Sequence, residues 1–289
     1  MKRILFALAV TTIGLVSCQK DMDVKPIILQ AAPSGARPSP TDGVIASAVQ
    51  KRLLSEGNVK LSYSADGRLT KYDAGSYQID LMYLSASAAD LYPGYKPAKG
   101  IKLQGYYNGA MTKWAWYVLL DDKGVCQRAV AITDGKKQYF DYAYNGKGQL
   151  ISVSESATNN AWLFEYDDQD RLSRVHVYRN GKHEEETLLS YKFPNGSYLP
   201  NKLRQYPDVN ILGLHYFRYL PIYGKSTDHL VRRLITTEVA TRATVLDNTY
   251  AYTLDGDDYI TTKTVTNLLA NTSWPVPHTY EVINYGVEQ

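Results

Sequence analysis

Cysteine and long apolar runs are scarce in this sequence. The 289 residues include two cysteines, Cys18 and Cys126, so a fold held together by several disulfides is excluded. The apolar N-terminal run, Ile4 to Val16, is shorter than the about 20 residues that a transmembrane helix needs. Neither sign of charge dominates, because the formal net charge is only +3 at pH 7. The composition therefore gives no basic bias that would indicate a nucleic-acid partner.

The start of the chain has the layout of an export signal with a lipid-attachment site. Lys2 and Arg3 precede the apolar run, as in a secretory leader. Leu15-Val16-Ser17-Cys18 then resembles the lipobox of bacterial lipoproteins, in which the cysteine receives diacylglycerol. We expect residues 1–17 to be a lipoprotein signal peptide and Cys18 to carry the lipid that anchors the chain to a membrane. The alternative is an ordinary leader that happens to contain a cysteine.

A flexible tether is expected between the lipid anchor and the folded part. Residues 18–44 contain several prolines among small residues and show no sustained apolar period. Gln19-Lys20-Asp21-Met22-Asp23 resembles the short signal that sends many Bacteroidetes lipoproteins to the outer face of the outer membrane. A periplasm-facing lipoprotein is the alternative. Residues 45–289 are then expected to form a single domain, with Cys126 as a small buried apolar residue.

An internal repeat runs through that domain. Each copy has an aromatic or aliphatic residue, then Gly or Asp four positions later, then an apolar residue after two more. The five copies are Tyr63, Gly67 and Leu69; Leu120, Gly124 and Cys126; Tyr144, Gly148 and Leu150; Tyr166, Asp170 and Leu172; and Leu254, Asp258 and Ile260. A three-residue hairpin loop often ends in a left-handed residue, which Gly adopts without strain and Asp tolerates. We therefore predict hairpins in which the first and last residues of each copy face each other.

The same turns explain the acidic clusters of the sequence. Asp167, Asp168 and Asp170 fall in one predicted turn, where short carboxylate side chains bond their own backbone. The run Asp255–Asp258 is not a calcium loop of the EF-hand type, because Thr266 stands where the bidentate Glu would be. We expect no metal site and no cofactor. Tyr191 with Asn195 is interpreted as a degraded copy of the hairpin.

The spacing of the strand-like segments favours an all-β fold. Short runs rich in Tyr, Val, Thr and Trp are broken every 8 to 12 residues by turn residues. Short connections predict an antiparallel up-and-down meander, and closing it into a complete or nearly complete barrel removes the exposed edges. No long helix is expected apart from the signal peptide. Residues 206–229 break the rhythm with an aromatic, proline-containing segment, which predicts a functional loop or a plug.

Two resemblances add to this interpretation. Tyr166-Asp167 with Arg171-Leu172 is similar to the YD repeat of bacterial surface and toxin shells. The lipobox, the tether, the degenerate hairpins and the segment YLPIYGKSTDHL, in that order, resemble a Bacteroidetes family of lipidated proteins of unknown function, whose fold is described as porin-like. The resemblance implies a barrel. Charged residues interrupt the strands, so we expect no lipid-facing apolar belt on the barrel. We expect instead that acyl chains hold the barrel at the outer membrane and that it faces the cell surface. These charges are Lys136, Lys137, Glu165, Arg171 and Arg174.

The abundance of aromatic side chains favours a binding function, with glycan or peptide as the ligand. The chain has 25 tyrosines and 4 tryptophans, and flat amphipathic rings suit sugar faces and interfaces. Trp114 and Trp116 share one face of a strand by parity, while Trp274 lies in a segment predicted to be a loop. These three tryptophans are the candidate ligand contacts.

Two other functions stay open. One alternative is a docking or accessory subunit of an outer-membrane complex, with an outer-membrane protein as its partner. A hydrolase acting on glycan or lipid is the third hypothesis, but no nucleophile motif or phosphate loop is present, and we predict no catalytic residues. His183-Glu184-Glu185-Glu186 lacks the second histidine of a zinc protease motif and is interpreted as a solvated strand or turn.

Overall fold

The computed structural model describes residues 50–86, 91–207, 209 and 218–283. These residues form sixteen β-strands. They are β1 Gln50–Glu56, β2 Val59–Tyr63, β3 Leu69–Asp73, β4 Tyr77–Ser85, β5 Lys99–Tyr107, β6 Ala110–Leu120, β7 Cys126–Thr133, β8 Lys136–Tyr144, β9 Leu150–Glu155, β10 Ala161–Tyr166, β11 Leu172–Arg179, β12 Lys182–Ser190, β13 Arg233–Glu238, β14 Thr244–Leu254, β15 Ile260–Asn267 and β16 Thr272–Ile283. The signal peptide, Cys18, the tether and residues 45–49 lie outside the described residues.

Each strand pairs antiparallel with its neighbours in sequence, and β16 pairs with β1, so the sheet closes into a barrel. The predicted meander and the predicted closure are therefore confirmed. Closure leaves no exposed sheet edge along the paired lengths. Within the described part of the chain, no helix has the length and apolar character needed to cross a membrane.

The five predicted hairpin pairs are all confirmed. Tyr166 lies opposite Leu172, with a bulge beside the pair, and the other four copies show the same pairing. The residue four positions after the start of each copy is left-handed, with φ of +62° at Asp170 and +67° at Asp258 where the other copies have Gly67, Gly124 and Gly148. The sixth copy is placed one residue later than predicted, because Gly196, and not Asn195, has the positive φ.

The turns of the meander divide the barrel into two ends. Turns that follow even-numbered strands lie at one end, together with the long connection between β12 and β13; we call this the plugged end. Turns that follow odd-numbered strands lie at the other, which we call the open end. At the open end Asn108-Gly109, Asp134-Gly135 and Asn180-Gly181 have both residues at positive φ, the conformation of the tightest hairpin turns.

The connection between β12 and β13 fills the barrel from the plugged end. In this connection, which we call the plug, Tyr206, Leu220 and Ile222 are buried in the same apolar core as the inward side chains of the strands. The Ile222 carbonyl accepts a hydrogen bond of 2.8 Å from the backbone of Cys126. The Tyr206 hydroxyl lies 2.8 Å from that of Tyr166. The predicted plug is thus confirmed for the described residues, and Cys126 is fully buried, as expected.

A buried ion cluster ties the plug to the barrel wall. Glu56, at the end of β1, is 5% exposed and forms ion pairs with Arg218 of the plug and with Lys263 of β15, the latter at 2.5 Å. The Tyr219 hydroxyl donates a further hydrogen bond of 2.9 Å to Glu56. Burial alone would raise the pKa of Glu56, but Arg218 and Lys263 outweigh it and lower that pKa to about 2.

The segment around Trp274 was predicted to be a loop, and this is wrong. Thr272 to Pro277 begin β16, and Trp274 pairs with Val265 of β15. Pro275 and Pro277 obscure the strand in the sequence because proline cannot donate to a ladder. His278 is the first residue of β16 that pairs with β1, so both prolines come before the length over which these two strands are paired. The strand therefore tolerates both prolines.

Candidate binding cavity

A cavity of about 690 Å³ lies inside the barrel on the side of the open end. Its walls come from nine consecutive strands, β6 to β14, and Val209 of the plug contributes to its lining. Most wall residues are near the strand ends that meet the open-end turns, such as Thr133 of β7 and Arg179 of β11. We call the rim formed by the open-end turns the mouth of the cavity. A volume of this size is typical of a small-molecule site.

Aromatic rings form one wall of the cavity. Trp114 and Trp116 of β6, Phe140 of β8 and Trp162 of β10 are on alternate strands and all point inward. Trp116 stacks on Phe140 with ring centroids 4.8 Å apart, and both residues are buried. Trp114 is more exposed and lies nearer the open end. Tyr250 of β14 stands across the cavity among the wall residues. The site therefore offers several flat apolar surfaces to a ligand.

A bulge between β5 and β6 sets the position of Trp114. The regular pairing is interrupted between Gln104 and Tyr106, and Gly105 has no directly opposed residue there. A Cβ atom at Gly105 would come within 2.9 Å of the Trp114 ring, so only glycine lets the indole lie against this backbone. The Gln104 side chain donates hydrogen bonds of 3.0 Å to the carbonyls of Thr112 and Trp114. The bulge and these bonds fix the strand that carries Trp114.

Polar groups face the aromatic wall. The Thr187 and Thr236 hydroxyls are buried and bond each other at 2.9 Å. Arg179 forms an ion pair of 3.6 Å with Glu185 near the open end. Asn248 presents a buried side-chain oxygen that has no hydrogen-bond partner among the described residues. An unpaired buried acceptor costs free energy, and a ligand hydroxyl or amide entering the cavity would satisfy it.

Among the described residues of the cavity wall, one carboxylate is deeply buried and is held as a structural acceptor. Glu155 is 7% exposed and accepts hydrogen bonds from Gln138, Thr158 and Asn160, at 3.1, 2.6 and 2.8 Å. Three donors converge on this carboxylate, and two of them belong to the turn that follows β9. Glu155 therefore braces that turn at the mouth of the cavity.

The structure brings two of the three candidate tryptophans together. Trp114 and Trp116 line the cavity, whereas Trp274 is 43% exposed and is not among the lining residues. Trp162 lines the cavity as well and was missed as a ligand contact. Its shared face with Phe164 and Tyr166 was visible in the sequence, but that parity only indicated burial. Whether Trp162 would line the same cavity as Trp114 depended on the register of the five strands from β6 to β10.

The acidic clusters behave as turns. The Asp167 carboxylate accepts hydrogen bonds from the backbone of Gln169 and Arg171, at 3.0 and 2.9 Å, and from the Arg171 guanidinium at 2.7 Å. Burial would raise the pKa of Asp167, but these bonds lower it overall. Asp255 repeats the two backbone bonds in its own turn, and its pKa is lowered chiefly by the ion pair with Lys51. The interpretation of both clusters as turn-forming is confirmed.

Comparison with known proteins identifies the fold. No family model matches the sequence, and no curated protein matches it. The structure is similar to a porin-like protein from Bacteroides uniformis ATCC 8492, with a TM-score of 0.52 and 15% identity over 78% of this chain and 89% of that chain. A porin-like protein from Bacteroides vulgatus ATCC 8482 gives a TM-score of 0.54 and 13% identity over 80% and 99%. This likeness shows a shared fold and confirms the porin-like barrel that the sequence resemblance implied.

Proposed function

We propose that this chain is a binding protein that takes a neutral oligosaccharide into the open-end cavity. The observation that carries the proposal is the composition of the cavity: three of the four tryptophans of the chain line it, and polar side chains face them. Sugars combine an apolar ring face, which stacks on indole, with hydroxyl groups that donate and accept hydrogen bonds. A ligand with only an apolar face, or with only hydrogen-bonding groups, would contact either the tryptophans or the polar side chains but not both.

The charges of the cavity favour a neutral sugar over an acidic one. Glu155 and Glu185 contribute two carboxylates to the wall, while Arg179 contributes one cation and is already paired with Glu185. A negatively charged ligand would meet an excess of acceptors. The unpaired oxygen of Asn248 adds a further acceptor, which a sugar hydroxyl is suited to satisfy.

The outer face of the barrel supports a location beside the membrane rather than within it. Charged pairs such as Arg52 with Glu281, and Arg128 with Asp141, point away from the core. A lipid-facing barrel carries an outward apolar band instead. We infer that acyl chains on Cys18 hold the barrel at the outer membrane, with residues 18–44 as the tether and the barrel facing the cell surface. Radiolabelled palmitate incorporation, compared between the native chain and Cys18→Ser, tests the anchor.

The binding experiment uses an array of neutral oligosaccharides, followed by calorimetric titration of the sugar that binds best. We expect Trp114→Ala to weaken binding at least about fivefold, because loss of one stacking face removes about 1–3 kcal/mol. Asn248→Leu should weaken binding by a smaller factor without loss of stability, because it removes an acceptor that is unpaired in the free protein.

Trp274→Ala is the matched control, since Trp274 lies at the same end of the barrel but outside the cavity. Its binding curve should coincide with that of the native chain. Absence of binding across a broad array, or equal losses in Trp114→Ala and Trp274→Ala, would contradict the proposed function. Thermal unfolding of each variant separates a lost contact from a lost fold.

A further inference from the structure

A cluster of two histidines and a glutamate lies on the outer face of the barrel, behind the cavity wall. His176 of β11 faces Glu186 of β12 across the ladder, and His183 of β12 lies beside them. The neighbours of His176 in its strand, Val175 and Val177, point inward to line the cavity, so the histidine itself points outward. The cluster is therefore separate from the site of the proposed function.

We propose that His176, His183 and Glu186 form a binding site for a zinc-type transition-metal ion. The Nδ1 atom of His176 lies 3.2 Å from the Nε2 atom of His183. Two imidazole nitrogens bound to one tetrahedral zinc ion lie about 3.3 Å apart, given zinc–nitrogen distances of about 2.0–2.1 Å. The two rings are thus already at the spacing that a shared ion would require.

The third ligand approaches from the facing strand. The Glu186 Oε2 atom lies 3.8 Å from the His176 Nδ1 atom, and the three ligand atoms are all within 4.8 Å of one another. Rotation of the Glu186 side chain about its own bonds would close the remaining gap. Arg174 contacts the other oxygen, Oε1, at 3.5 Å, so Oε2 is the atom that remains turned toward the histidines. Two histidines and one carboxylate are a common zinc ligand set, with a fourth position for water.

A second carboxylate orients the cluster. The Nε2 atom of His176 lies 3.0 Å from Glu165 Oε1 of β10. When Nε2–H donates this bond, Nδ1 carries the lone pair and faces His183. Metal-binding histidines commonly donate their other ring N–H to a carboxylate, which fixes the tautomer and the ring direction. Glu165 is therefore a positioning residue in this proposal. The ring of His183 is held in turn by stacking on Tyr178, with centroids 4.8 Å apart.

The local backbone explains why these residues meet. Asn180-Gly181 form the two-residue turn between β11 and β12, with φ of +51° and +75°. A turn of this type fixes the register of the two strands that it joins. A bulge between Val177 and Tyr178 then brings His183 toward the side of His176. The site is built on two strands and a tight turn, which is a more rigid support than a loop.

The test is a zinc titration of the full chain in mild detergent, without a polyhistidine tag, against a chromophoric chelator. We expect one high-affinity site per chain. His176→Gln and His183→Gln should each weaken zinc binding at least tenfold, and Glu165→Ala should weaken it about tenfold through loss of orientation. Glu184→Gln is the matched control, because it removes the same charge from the same strand while its carboxylate pairs with Arg179 instead. That variant should bind zinc as the native chain does.

Cobalt(II) provides a second readout on the native chain, which does not depend on any variant folding. A four-coordinate site gives an intense visible absorption, which zinc should then displace. Zinc binding by the double variant His176→Gln/His183→Gln at native strength would overturn the proposal, as would an equal loss in Glu184→Gln. Loss of zinc binding in the histidine variants with oligosaccharide binding retained would support this site independently of the proposed function.

Discussion

The two ends of the barrel differ in how its interior is filled. At the plugged end, hairpins with left-handed Gly or Asp lead into a core that the plug fills with Tyr206, Leu220 and Ile222. At the open end, tighter turns surround a cavity of about 690 Å³ with three tryptophans on its wall. At the plugged end the aromatic residues are packed in the core, whereas at the open end Trp114 is partly exposed beside the buried Trp116 and Trp162. We infer from this difference that the plug supplies much of the stability of the barrel and that binding takes place in the open-end cavity.

Loss of the buried ion cluster should have the largest effect on stability. Glu56→Gln leaves Arg218 and Lys263 buried next to each other without their carboxylate. We expect the free energy of unfolding to fall by about 3–5 kcal/mol in denaturant titration. Glu281→Gln, which breaks an exposed pair with Arg52 on the outer face, should cost less than about 1 kcal/mol. Equal costs for the two variants would show that the plug is not anchored through Glu56.

The same cluster predicts a pH dependence with a definite sign. The pKa of Glu56 is lowered from 4.5 to about 2 in the folded chain, so its stabilising effect is complete above pH 4.5 and is lost as the pH falls toward 2. Between these two values the native chain should lose about 3 kcal/mol more unfolding free energy than Glu56→Gln does. Denaturant titrations at successive pH values measure this. Parallel pH profiles for the two chains would contradict the assignment.

Among the described glycines of the plug, Gly224 should be the one at which an added side chain is least tolerated. Its φ is +70°, and an added Cβ would lie 2.2 Å from the Gly148 carbonyl oxygen in a neighbouring turn. We expect Gly224→Ala to lower the unfolding free energy by about 3 kcal/mol, because backbone must move. Gly124→Ala has a similar φ of +79° with no atom within 4 Å, and should cost about 1 kcal/mol. A smaller cost at Gly224 than at Gly124 would mean that the plug does not pack against this turn.

The smallest expected effect concerns the open end. Gly105→Ala should push the Trp114 ring out of place and weaken oligosaccharide binding about fivefold, which corresponds to about 1 kcal/mol. Calorimetric titration measures the change. Gly146→Ala is the control at the plugged end, where an added Cβ meets nothing within 4 Å and φ is not positive. If Gly105→Ala leaves binding unchanged, the bulge does not determine how Trp114 contacts the ligand.

Local turn chemistry made much of the fold predictable. The pairing of Tyr166 with Leu172, and of its four counterparts, depends on a few adjacent residues, so spacing alone was sufficient. The cavity was not predictable in this way, because Trp114 and Trp162 come together only through the register of the strands between them. Trp274 was misplaced because two prolines hid its strand. His176 and His183 could have been paired from the Asn180-Gly181 turn, which is a strong hairpin signal.

We propose that the ligand binds in the open-end cavity. The most direct measurement is a crystal structure of the chain with the oligosaccharide that binds best in the array. We predict a sugar ring stacked on Trp114, with a hydroxyl within hydrogen-bond distance of the Asn248 side-chain oxygen. Sugar bound on the outer face or at Trp274, with the cavity occupied only by water, would contradict the account.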